Sequence, residues 1–183
     1  MQRKDWALGL ILVVFAVQPV ACHTKAPEVA PGPPADAHLS DAAPSIDALL
    51  DQFVAAVGAK DMQALTRLRV TEAEYRNIII PGNVPLGHAP RTFPEKTSKF
   101  TWSLNDTKSI YWEGALLGSF GGHQYTRKEV KYGNGIEEYA WFKAYKRVEL
   151  TLVDETGREV ELRTGSIAEV NGRYKFLSFA GGG

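Results

Sequence analysis

The sequence predicts an α+β domain in which helices come first and an antiparallel sheet follows. Three observations carry this. In "SIDALLDQFVAAVG" the apolar residues Ile46, Leu49, Leu50, Phe53, Val54 and Val57 recur at three- and four-residue intervals, the period of one helix face. In "YKRVELTLV", Val148, Leu150 and Leu152 alternate with Arg147, Glu149 and Thr151, as in a strand buried on one side. The stretches "DETG" and "NG" then separate the alternating segments with turn-forming residues.

The chain has 183 residues, zero formal net charge, 44% hydrophobic and 23% charged residues, which suits one globular domain with extensions. Balanced charge lacks the basic footprint that phosphate backbones demand, so nucleic acid is not an expected partner.

In the first segment, "MQRKDWALGLILVVFAVQPVAC", Arg3 and Lys4 precede an apolar run from Trp6 to Val17. As a helix that run is about 18 Å long, short against the roughly 30 Å of a bilayer core. A charged start, a short apolar stretch and small residues after it predict a secretory signal peptide over 1–21, with an uncut anchor as the alternative. Cys22 is the only cysteine, so no disulfide can form within one chain. "PVAC", Pro19 to Cys22, resembles the lipobox of bacterial lipoproteins through Val20, Ala21 and Cys22, with Pro19 where leucine is usual. The resemblance implies that Cys22 carries the lipid and becomes the first mature residue, making the membrane a partner through its acyl chains. His23 stands where an aspartate would favour the inner membrane, which implies the outer membrane of the cell envelope. A secreted or periplasmic protein with an idle thiol is the alternative.

Residues 22–43, with Pro27, Pro31, Pro33 and Pro34, show no hydrophobic period and read as a Pro/Ala-rich tether. His38 within it reads as solvated.

A single α+β domain is expected over 44–183. Ser45 can cap the first helix and Gly58 suits its end, while Asp61 caps a second helix carrying Leu65 and Leu68. Thr71 and Glu74 have the spacing of a capping box, and their helix should bury Tyr75, Ile78 and Ile79 before Pro81 stops it. "PGNVPLGHAPRTFPEKTSKF", with His88 and Arg91, reads as a long loop. "NDTKSIYWEGALLGSFGG" reads as a helix capped by Asn105 or Asp106, with Ile110, Gly114 and Leu117 inward; a strand is the competing assignment. The strands follow: "QYTRKEVKY", "EEYAWFKA" running into "YKRVELTLV", "REVELRTGSIAEV" and "RYKFLSFA". A type I turn with Gly157 in the left-handed region sets Leu152 opposite Val160 and Leu150 opposite Leu162. Gly181 to Gly183 should fray.

The order of three helices and then long meandering strands, with "LLDQFVAAVGAKDMQALTRL" at its start, is similar to the nuclear transport factor 2-like, or cystatin-like, fold. The resemblance covers Ile46 to Phe179 and implies N-terminal helices packed on a curved antiparallel sheet, a cone that often holds a pocket. Isomerases and dehydratases of that build use an Asp or His base with an acidic partner. No motif carries a catalytic residue onto this chain.

Among groups able to do such chemistry, Asp106 reads as a helix cap, and Glu113 and Glu138 as solvated. Tyr111, Trp112, His123, Tyr125, Tyr139 and Trp141 form an aromatic-rich set that could line a ligand pocket, although aromatic side chains serve a core equally well. His23, His38, His88 and His123 lie far apart and no second thiolate exists, so neither metal nor other cofactor is expected. "GSFGGHQ" reads as a helix stop, and Ser166 lacks a nucleophile elbow. These features predict a membrane-anchored envelope lipoprotein, non-enzymatic, binding a small apolar ligand or a protein partner. A periplasmic acid–base enzyme and an envelope scaffold are the alternatives.

Overall fold

A computed structural model describes residues 32–34 and 37–179. The signal peptide, Cys22, the first part of the tether and the terminal glycines lie outside the described residues.

Helix α1, Ile46–Gly58, forms where the apolar spacing places it. Ser45 caps it by accepting from the Ala48 N–H, and Leu49, Leu50, Phe53, Val54 and Val57 are buried. Asp61 caps α2, Met62–Arg67, in the same way through the Ala64 N–H. The Thr71–Glu74 capping box opens α3, Glu72–Glu74. That turn continues as a π-helical turn, Tyr75–Ile79, and closes in α4, Ile80–Gly82. Pro81 therefore lies inside the last turn, which tolerates it because a first-turn proline needs no amide donor.

The next helix departs from expectation. α5, Glu95–Phe120, runs for 26 residues directly from Pro94, so the loop is shorter and the helix longer than the sequence suggests. Asn105 and Asp106 lie in its middle and do not cap it. Ile110 and Gly114 face outward; Ser98, Ser109, Glu113 and Leu116 are buried instead. The inner face is mixed: hydroxyls and a carboxylate at Ser98, Ser109 and Glu113, with Leu116 buried and Trp112 and Phe120 packed on the core towards the end.

The strands are β1, Tyr125–Tyr132, β2, Ile136–Glu138, β3, Lys143–Tyr145, β4, Val148–Asp154, β5, Glu159–Arg163, β6, Ile167–Val170, and β7, Arg173–Phe176. They pair antiparallel in two sheets, ordered β1-β4-β5 and β2-β3-β6-β7. Arg147 adopts a left-handed conformation, φ 54°, and turns the chain between β3 and β4. Hydrogen bonds continue across the bend, from Gly133 N–H to Arg147 O and from Val148 N–H to Gly165 O. The two sheets are thus halves of one bent meander.

Two of its turns match the sequence expectation. Leu152 pairs with Val160 and Leu150 with Leu162, with Gly157 at φ 87°. Asn171 and Gly172, both at positive φ, connect β6 to β7, the geometry that a two-residue hairpin loop requires.

The main core lies between α1, α2 and the β1-β4-β5 half. Phe53, Phe176 and Phe179 have ring centroids 4.8–5.5 Å apart and are fully buried, filling the space under α1. A second cluster joins Val70, Ile78, Ile79, Phe142, Ala168 and Val170. Ala37 and Leu39 belong to it, and Ala43 pairs with Tyr174. Among the described residues, packing thus includes Ala37, seven residues ahead of the boundary at 44, because three small or apolar residues in the tether have a surface to bury against. Leu68, Arg69 and Val70 form a short parallel connection to β7, with Val70 N–H donating to Phe176 O and Phe176 N–H to Leu68 O.

Candidate functional site

The inward polar face of α5 meets Arg69 at the end of α2. Arg69 and Glu113 are 3% and 1% exposed, with Arg69 Nε 2.5 Å from Glu113 Oε1, an ionic contact off the N–H direction. Arg69 Nη2 donates to Asp106 Oδ1 at 3.0 Å, and the Thr66 hydroxyl donates to Glu113 Oε2 at 3.0 Å. Asp106 and Glu113 are seven residues apart, two helical turns, so both carboxylates fall on one face and share one guanidinium. Among the described residues, Arg69 Nη1 has no hydrogen-bond partner. Burial pushes the Glu113 carboxyl up, outweighing the pull of Arg69 and the Thr66 hydrogen bond.

A second buried ion pair lies nearby. Lys175 Nζ stands 3.1 Å from Glu74 Oε2 and 3.2 Å from Oε1. Glu74 also accepts from the Thr71 N–H at 2.7 Å and from the Ser40 hydroxyl at 2.7 Å. Burial pushes Glu74 up, but these donors and the ammonium outweigh it and hold the carboxyl below its ordinary range. Ser40, Arg69, Thr71, Trp102, Asp106 and Lys175 surround a cavity of about 180 Å³ between the two pairs. That is below the roughly 300 Å³ at which small-molecule sites begin. Each carboxylate of the cluster faces a cation or hydroxyl, so the arrangement fastens α2, α3 and α5 to β7.

The larger concavity, about 800 Å³, opens between the last turns of α1 and the start of β1. Asp51, Val54, Gly58 and Ala59 form one wall; His123, Gln124, Tyr125, Thr126 and Arg127 form the other. The walls touch at Gly58, where a Cβ would stand 2.5 Å from the His123 carbonyl oxygen. Gly58 O accepts from the Gly122 N–H at 2.8 Å. His123 Nδ1 lies 3.0 Å from Glu155 Oε1, and Glu155 also accepts from the Gln124 N–H. The Tyr125 hydroxyl donates to Phe120 O at 2.9 Å. Arg127 clamps Asp47 and Asp51 at 2.6 and 3.0 Å. The groove is open, and these partners within the domain fix the polar groups along its wall.

Of the six aromatic and histidine candidates, His123 and Tyr125 share this groove. Tyr111 is 69% exposed on the outer side of α5, its ring edge-on to Trp112. Trp112 packs against the main core and borders a separate cavity with Glu161 and Arg163. Tyr139 stacks on Phe142 and donates to Glu137, and Trp141 rests on Gly82. The set is dispersed over the molecule.

Two expectations for the acidic residues are corrected. Asp106 pairs with Arg69 and caps nothing, and Glu113 is buried, not solvated. Glu74 forms the capping box that its spacing predicts, but its pairing with Lys175, and the role of Arg69, are not predicted from the sequence. The available signal was the recurrence of Ser98, Asn105, Ser109 and Glu113 at helical spacing, a polar stripe pointing at a polar partner. Among the described residues, no group of three His, Cys, Asp or Glu could hold a metal ion. No helix there is long and apolar enough to cross a membrane. Comparisons with protein-family models, with curated proteins and with solved structures find no match.

Proposed function

We propose that this chain is an envelope lipoprotein, held to the outer membrane by lipid on Cys22, whose domain is a non-enzymatic binding module of nuclear transport factor 2-like build. The build is supported by helices ahead of a bent antiparallel meander and by the parallel connection of residues 68–70 to β7. One observation carries the non-enzymatic part: the buried carboxylates Glu74 and Glu113 are each held against a buried cation. General acid–base catalysis needs such a group facing a substrate. The Phe53–Phe176–Phe179 packing occupies the space an interior apolar ligand would use, which favours a protein partner. The groove beside His123 is the surface offered to it.

Fractionation of cells expressing the wild type and Cys22→Ser tests the anchor, with mass spectrometry of the mature N-terminus alongside. The wild type should sediment with membranes and carry an acylated Cys22. A serine variant equally firm in the membrane fraction, or an unmodified peptide running through Cys22, overturns the proposal.

A further inference from the structure

Helix α5 buries Ser98, Ser109 and Glu113 and leaves large hydrophobic side chains outside. Phe100, Leu104, Ile110 and Tyr111 are 49–69% exposed on it, and Leu86 and Phe93 in the loop before it are 58% and 45% exposed. These are six of the eight exposed large hydrophobic side chains of the described residues. At 100° per residue Phe100, Leu104 and Tyr111 fall within about 40° of one another, an apolar stripe along three turns. Lys96 and Lys108 flank the stripe, and Lys99 lies about 100° round the helix from Phe100, all exposed. The one exposed acid here, Glu95, is paired with Lys99 at 2.7 Å and faces Arg76 at 3.8 Å. Asp106 is turned inward to Arg69. Three exposed lysines against one exposed acid make this face of α5 basic, although the chain as a whole is neutral.

An apolar stripe bordered by lysines on an exposed helix is the pattern of an interfacial helix. The rings enter the headgroup boundary while the ammonium groups meet anionic lipid. We infer that the outer face of α5 lies on a bilayer surface bearing anionic headgroups. The inference draws on the anchored reading above to bring a membrane near. The 15 residues from Cys22 to Asp36 span at most about 50 Å, so an anchored domain can turn this face to the lipid. The anchor supplies attachment, and α5 sets which side of the domain faces the membrane.

The test separates orientation from anchoring. Full-length Cys22→Ser protein, which has neither acyl chains nor a native thiol, receives Thr107→Cys on the stripe or Thr126→Cys on β1. Each thiol carries an environment-sensitive fluorophore. Vesicles of phosphatidylcholine with one part in three phosphatidylglycerol should blue-shift the label at 107 and leave that at 126 unchanged. Replacing Lys96, Lys99 and Lys108 by glutamine should weaken the effect by about fivefold per lysine removed. A label at 107 that stays solvent-like on vesicles overturns the inference while leaving the Cys22 anchor, tested by fractionation, untouched. A label already shielded without lipid, in a species of twice the monomer mass, assigns the face to a second copy and overturns it equally.

Discussion

Arg69 and Glu113 face each other across the α2–α5 interface with both side chains almost wholly excluded from water. The two carry unequal weight. Arg69 answers Glu113 and Asp106 together, whereas Glu113 has Thr66 as well as Arg69. Arg69→Met should therefore cost about 3–5 kcal/mol, the penalty for leaving a buried charge without its partner. Glu113→Gln relieves the burial that raises this carboxyl and leaves Arg69 its contact with Asp106. Its cost should be about 1 kcal/mol or less. Adding Glu113→Leu to Arg69→Met should recover most of the loss, because packed apolar groups replace buried ion pairs well. Urea unfolding of the three variants measures all of these, and equal losses for Arg69→Met and Glu113→Gln refute the asymmetry.

Acid should unfold the protein from the β4–β5 turn and the Glu74 pair. The Thr156 hydroxyl, with the backbone N–H groups of Thr156 and Arg158, holds Asp154 down to about 2 from 3.8. A lowered carboxylate lends stability that is complete above its unfolded value and disappears as pH falls through its folded one. Thermal midpoints should drop between about pH 3.8 and 2, and Asp154→Asn should flatten that drop. Glu74 adds loss in the same direction as pH falls below its unfolded value of 4.5. Glu113 has the opposite sign: its raised carboxyl lends stability below 4.5 that is lost as pH rises through its folded value. A variant Glu113→Gln should accordingly lack a decline that the wild type shows as pH rises above 4.5.

The sequence discloses those elements whose buried face is apolar. Ile46 to Val57 form α1 because hydrophobic burial and helical period agree there. Gly157 and Asn171–Gly172 fix the hairpins because turn geometry restricts residue choice. α5 breaks that agreement. Its buried positions hold Ser98, Ser109 and Glu113, so hydrophobic spacing selects Ile110 as inward when it is half exposed. Its start after Pro94 lacks a side-chain cap, whereas Asn105 and Asp106, residues that favour helix N-caps, lie in its middle. The Arg69 and Lys175 pairs join segments distant in sequence, which local periodicity does not connect. The groove beside His123 arises from the close approach of Gly58 and is equally a tertiary property.

That close approach gives a sharper test of the groove. A Cβ on residue 58 would meet the His123 carbonyl oxygen at 2.5 Å, and backbone cannot swing aside as a side chain can. Gly58→Ala should cost about 1–3 kcal/mol through overpacking and spread the two walls, despite alanine's better helix propensity. Gly118→Ala on α5, where nothing lies within 4 Å, should instead be neutral or slightly stabilising. Thermal melts of the pair check the contrast, and an unchanged midpoint in Gly58→Ala removes the claim that the groove walls touch there.

In the middle of α5 a polar position is buried and an apolar one exposed, which predicts an inverted response to substitution there. Ser109 is fully buried, and its hydroxyl oxygen accepts from the Phe179 N–H at 3.2 Å. Ser109→Leu puts a larger side chain into a closed site and leaves that buried N–H without its acceptor. Overpacking and the orphaned donor should together cost about 2–4 kcal/mol. Leu104→Gln, five residues earlier on the outer face, should change stability by no more than about 0.5 kcal/mol and raise solubility by shrinking the exposed apolar stripe. In most amphipathic helices the hydrophobic position is the sensitive one. Guanidinium unfolding of the two variants decides, and a Leu104→Gln loss larger than that of Ser109→Leu means that the face of α5 assigned to solvent is the one facing the core.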